Sequence, residues 1–174
     1  ATFIGSGFSA GNNENTPSII MSMASAGTMA NSIIIDYADR GLEVEDTPPG
    51  TGIDSYQRML DDELKILNNM WWFGPGRTID ATVSGILQPT ADDEGNPVGD
   101  DPDCSGLATH MINNFNISDI DPDLAGISRI IGSTGLDPRP GADEVKQDLA
   151  TYPDGFESVG YEASVNAVSI KKGR

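Results

Sequence analysis

Asp119, Asp121 and Asp123 stand at every second position, a spacing that successive carboxylates use to close on one calcium ion. Calcium takes several hard oxygens at once, so a bound Ca2+ is the one cofactor the sequence points to. The triplet departs from an EF-hand: counted from Asp119 there is no Gly at the sixth loop position and no Glu at the twelfth, and Pro122 stiffens its middle. A solvated turn is the competing reading. Asp100, Asp101 and Asp103 cluster in a similar way inside a stretch that reads as surface loop.

Trp71, Trp72 and Tyr56 are the aromatic groups with which a sugar ring would stack. Adjacent strand positions point to opposite faces, so one Trp is expected inside and its neighbour outside. Arg40 and Arg58 with Glu43, Glu45 and Asp46 have the composition of a lyase centre, in which an Arg base works beside carboxylates that hold Ca2+, although surface ion pairs use the same residues. His110 is the single histidine and has no ligand partner three or four positions on, so it reads as structural. Cys104, beside Asp103, is in an acidic setting that raises a thiol pKa and blunts it as a nucleophile. The Gly-rich pieces at 5–7 and 74–78 lack the Lys of a phosphate loop and read as turns. No set of side chains here forms a recognisable catalytic constellation.

The elements that would position these groups are short apolar runs. SIIM at 18–21, SIIID at 32–36, GLEVED at 41–46 and LKILNN at 64–69 are strand-length, rich in Ile and Val, and bounded by Gly, Asn, Asp or Pro. Leu42 and Val44 alternate with Glu43 and Glu45, the pattern of a half-buried strand with an acidic outer face. The segment 1–5 also reads as a strand that begins without a leader, which suggests a processed product or a fragment. Residues 47–62 read as a loop with a short helix capped by Asp54, Met70–Trp72 as a further strand, 88–105 as an acidic flexible loop, and 107–112 as a short helix capped by Ser105. Asn68 and Asn69 suit a corner where side-chain amides stack. Arg129 and Arg139 read as a clasp onto acidic strands.

Composition sets the outer bounds. A 174-residue chain is long enough for one domain with a core, and 20 Gly with 11 Pro favour many turns over long helices. The net charge of -17 repels nucleic-acid phosphate and anionic lipid. One cysteine excludes an internal disulfide, and no apolar run is long enough for a membrane span.

NSIIIDY at 31–37, GLEVED at 41–46, DSYQR at 54–58, LNNMWW at 67–72 and GLDPRP at 135–140 together resemble the C-terminal half of a family of large secreted bacterial (Bacteroidetes-like) parallel β-helix surface proteins, across roughly residues 1–160. The tail from Ala163 departs from the family's aromatic, Gly-rich ending. The resemblance implies an all-β fold: a right-handed parallel β-helix, a partial solenoid with short helical and irregular C-terminal capping segments. The expected organisation is β-helix rungs over 1–87 with an insertion at 47–62, an acidic loop over 88–105, and a capping helix with an extended segment over 106–174. The function expected is a non-catalytic structural, adhesion or surface-assembly module, exported to the bacterial surface. Its expected partners are copies of itself or other chains of the same assembly. The alternative is a polysaccharide lyase or carbohydrate-binding β-helix that uses Ca2+ held by Asp clusters.

Overall fold

The computed structural model of the chain describes residues 1–5, 7, 17–126 and 137–140. Strand β1 spans Thr2–Ile4, β2 Ile19–Met21, β3 Gly27–Ala30, β4 Ile33–Ile35 and β5 Leu42–Val44. Helix α1 (Ser55–Leu60) is followed by β6 (Leu64–Leu67) and β7 (Met70–Trp72). Helix α2 (Ser105–Asn113) precedes β8 (Leu124–Gly126) and β9 (Asp137–Pro140).

The strands pair into small separate sheets. One has the order β1-β4-β7, the others are β2-β5, β3-β6 and β8-β9. The first three are parallel, with Phe3, Ile34 and Trp71 in one register row, Ile20 opposite Glu43, and Thr28 opposite Lys65. The pair β8-β9 is antiparallel.

Burial follows from which faces are covered. All three isoleucines of β4 are buried, because Ile34 turns into the main core with Leu42, Val44, Ile66 and Trp71 while Ile33 and Ile35 turn the other way with Met70. Ile4, Trp72, Ile117 and Leu124 pack over that second cluster. A strand covered on both faces has no polar side to show, so its sequence is a plain run of Ile. In β5 one face alone is buried, and Glu43 lies half-buried between Leu42 and Val44. Helix α1 starts where the Asp54 carboxylate accepts the Gln57 N–H at 2.7 Å, and it sends Tyr56 and Met59 into the core. Asn31 and Asn68 occupy matching turns, each in the left-handed region (φ 50° and 52°) just ahead of β4 and β7, a conformation that Asn tolerates better than most residues.

The expected all-β parallel β-helix is corrected by this arrangement. The described residues form sheets of two or three strands, with no closed or solenoid sheet, and they include two helices and an antiparallel pair. The physical reason lies downstream of β7. There the described residues make turns, isolated bridges and α2, and the strands that follow, β8 and β9, pair antiparallel with each other, so none of them joins a parallel sheet to carry the stacking onward. Helix α2 also begins differently from the expectation: Ser105 is its first residue, and Cys104 holds the cap position without a side-chain bond.

Truncating Ile34, fully buried in β4, to Ala is expected to cost about 3 kcal/mol of unfolding free energy, while Ile20→Ala on the exposed side of β2 stays within about 0.5 kcal/mol. Urea unfolding of the two variants beside the parent chain checks both values.

Candidate functional site

The buried carboxylates act as staples. Asp46 accepts the backbone N–H groups of Asp100 (3.0 Å) and Asp101 (2.6 Å), which fastens the 88–105 loop to the end of β5. Gly99, at φ +91°, lies so close that a Cβ there would meet the Asp46 carboxylate at 2.2 Å. Asp101 accepts from Gly106 N and Leu107 N, both at 2.9 Å, and so caps α2 from outside the helix. Asp54 accepts from Thr47 N as well as capping α1. A Cβ at Gly106 would meet Tyr56 Oη at 2.2 Å, so the first turn of α2 sits directly on α1.

This packing sets the electrostatics. Burial raises the Asp46 and Glu43 carboxyls above their ordinary values; hydrogen bonds from Asp100 and Asp101 oppose the shift at Asp46, and the Thr90 hydroxyl opposes it at Glu43. Tyr56 is pushed up to about 12 by burial and by the charges of Asp101 and Asp46. Cys104 is pushed up to about 12 by burial and by Asp101 and Asp103, so its thiol stays protonated and unreactive at neutral pH. A shallow cavity of about 160 Å³ lies over the 47–54 loop, lined by Thr47, Pro48, Asp54, Tyr56, Gln57 and Asp100 among others. Its Asp54 carboxylate is already occupied by the bonds that hold the loop and α1.

The residues singled out from sequence do not meet in one place. Asp119, Asp121 and Asp123 are exposed, and Asp121 Oδ1 accepts Asp123 N at 2.9 Å across the intervening proline. Among the described residues no three His, Cys, Asp or Glu side chains are grouped to hold a metal ion. Trp71 is fully buried, Trp72 is half-buried against the opposite cluster, and Tyr56 is buried in α1, so the three aromatics do not make a shared platform. Arg40 donates to the carbonyls of Thr82 (2.6 Å) and Gly85 (3.0 Å), Arg58 pairs with Glu63, and Glu45 accepts Met23 N. These are structural ties, and among the described residues no ion pair joins either arginine to Glu43, Glu45 or Asp46. His110 has its pKa lowered by burial, and its Nε2 is buried without a partner. Arg129 and the tail from Ala163 lie outside the described residues.

A row of asparagines joins the sheets, and sequence reasoning found only its middle. Asn68 Nδ2 donates to Asn31 Oδ1 at 2.6 Å. Asn69 Oδ1 accepts Ser32 N, and Asn69 Nδ2 donates to the Met29 carbonyl and to Asn116 Oδ1. Asn116 Oδ1 also accepts Asn69 N and Trp71 Nε1, while its Nδ2 donates to the carbonyls of Ile66 (2.7 Å) and Met111 (2.9 Å). Asn116 follows a helix in a polar stretch, NNFN at 113–116, and nothing in that local pattern marks it out.

This row lies at the closed side of the sheets. The far edge of β7 is taken by Ile117, through Trp71 N to Ile117 O (2.8 Å) and Ile117 N to Asn69 O (3.0 Å). The far edge of β5 bonds Ile86 and Gln88. The far edge of β6 is met by Asn116 and by the end of α2, where Asn68 N donates to Asn114 O. The opposite side differs. Among the described residues β1, β2 and β3 each pair on one edge only. Ile19 N donates to Gly41 O and Met21 O accepts Glu45 N, so by strand alternation the N–H and C=O of Ile20 face the open side. The same alternation turns Thr2 and Thr28 outward. Ile20 is 55% exposed and Phe3 41%.

Comparison with protein-family models, with curated proteins and with solved structures gives no match.

Replacing Asn116 by Leu strands Trp71 Nε1, Asn69 N and the Ile66 carbonyl, and is expected to lower unfolding free energy by about 3 kcal/mol or more in urea titrations. The pH dependence has a defined sign. A raised carboxyl binds its proton more tightly folded than unfolded, so Glu43 and Asp46 add stability as pH falls through their folded values. Asp80, lowered by its Thr82 and Thr78 hydrogen bonds, stabilises above the ordinary carboxylate value and loses that contribution as pH falls further. Stability is therefore expected to peak on the acid side of neutrality, just above the ordinary carboxylate range. Urea midpoints across a pH series locate the maximum, and a maximum at or above neutrality contradicts it.

Proposed function

We propose that this chain is a non-catalytic structural module that assembles with further polypeptide through the open edges of β1, β2 and β3. One observation carries the reading: the three parallel sheets are closed on one side by Ile86–Gln88, α2 and Ile117, while on the other side, among the described residues, their strands offer unused backbone groups. Such an edge is a template for strand addition, and proteins that do not use one usually blunt it with Lys, Pro or a bulge. Ile20 and Thr28 occupy the outward positions here. The chemistry-bearing side chains support the same reading, because Asp46, Asp54, Asp101, Arg40 and Arg58 are engaged in ties within the fold. Export to a bacterial surface belongs to this proposal and rests on the motif resemblance alone.

The test is a charge placed on the edge. Ile20→Lys is expected to abolish assembly of the chain in sedimentation-velocity runs while unfolding free energy stays within about 0.5 kcal/mol of the parent. A variant that assembles as the parent does removes the edge from the mechanism.

A further inference from the structure

The open edge differs from the rest of the chain in its charge. The protein carries 27 acidic and 10 basic side chains, yet Glu14 is the only charged one among residues 1–35, the segment that supplies β1 to β4. Phe3, Ile20 and Met23, at 41%, 55% and 90% exposure, add apolar surface to that side.

Resting on the assembly reading above, we infer that the occupant of this edge is a second copy of the chain, docked edge to edge about a two-fold axis to give a closed dimer. Head-to-tail stacking has no complementary surface, because the opposite side of each sheet is already bonded to Ile86–Gln88, Asn114–Asn116 and Ile117. Two open edges, in contrast, are self-complementary, as an isologous contact requires. Charge selects the same geometry. Two bodies of net charge -17 repel on most approaches, and β1, β2 and β3 themselves carry no charged side chain, so paired edges set no acid against acid along the strands. Repulsion between the remainder of the two bodies makes the dimer tighter as salt rises, since screening removes the opposing term.

Size-exclusion chromatography with light scattering on the full chain, over a concentration series in low and high sodium chloride, tests this together with amide hydrogen exchange. The expected mass rises from 18.4 kDa to a plateau at twice that value, sooner in high salt, with the Ile20 and Thr28 amides protected only when the chain is concentrated. Thr28→Lys, which sets a charge at an outward position of β3, is expected to weaken the dimer about tenfold or more with unchanged circular dichroism. Phe115→Lys, beyond the end of α2, is expected to leave it intact. Growth without a plateau overturns the two-fold dimer. A monomer at every concentration with fast exchange at Ile20 and Thr28 overturns the second copy while leaving the edge for another polypeptide. A monomer in which those amides exchange slowly shows the edge covered within the chain, and the assembly reading falls with it.

Discussion

The side-chain amide of Asn116 is the interaction on which the closed side of the molecule depends. One planar group accepts from the Asn69 backbone, the Asn69 side chain and the Trp71 indole, and donates to carbonyls of β6 and α2. A carboxamide suits this place because it presents an acceptor with two lone pairs and two donors in fixed directions. A carboxylate would lack the donors, and an apolar group would strand several buried polar atoms at once. Through this residue a sheet edge, a neighbouring strand and the end of a helix share one set of bonds. Losing any of them exposes the others to water.

The acids follow a related logic at the other end of α2. Three carboxylates that could be mistaken for a cation site are turned toward backbone N–H groups instead, at Asp46, Asp54 and Asp101. Backbone donors at helix starts and in tight loops have no intrahelical partner, and a carboxylate satisfies two of them in one place. The burial that makes these bonds strong also penalises the charge, which accounts for the raised carboxyl of Asp46. Among the described residues the buried acids Asp46, Asp54 and Asp101 are structural, while Asp119, Asp121 and Asp123 face solvent.

The local elements were readable where hydrophobic period and turn chemistry agree. The Ile runs of β2 and β4, the alternation in β5, the Asp54 cap and the helical stretch near 107–112 each carry their signal within a few residues. Strand β3, Gly27–Ala30, carries almost none: in GTMA only Thr28 is a strand former, and pairing with β6 across intervening strands, loops and a helix decides its state. The overall architecture was misread for a related reason. Short Ile and Val runs specify strands without specifying how many will stack, and the chain after β7 closes the edges in place of extending them. Asn116 and Asp101 were missed because their roles depend on partners some fifty residues away or on a helix whose cap lies outside its own first turn. The lack of charge on β1, β2 and β3 becomes meaningful only once the strands that form the edge are known.

Trp71 and Trp72 are neighbours in sequence and strangers in surroundings. The first is sealed in the main core with its indole N–H bonded to Asn116; the second is half-covered on the opposite face of the sheet. With no other tryptophan in the chain, the intrinsic emission is the sum of two indoles in unlike environments. One is dry and rigidly bonded, and reports on the closing of β6, β7 and α2. The other is open to quenchers dissolved in the solvent, and reports on how Ile4, Ile117 and Leu124 cover the outer face. The molecule therefore carries an optical reporter on each side of its longest sheet.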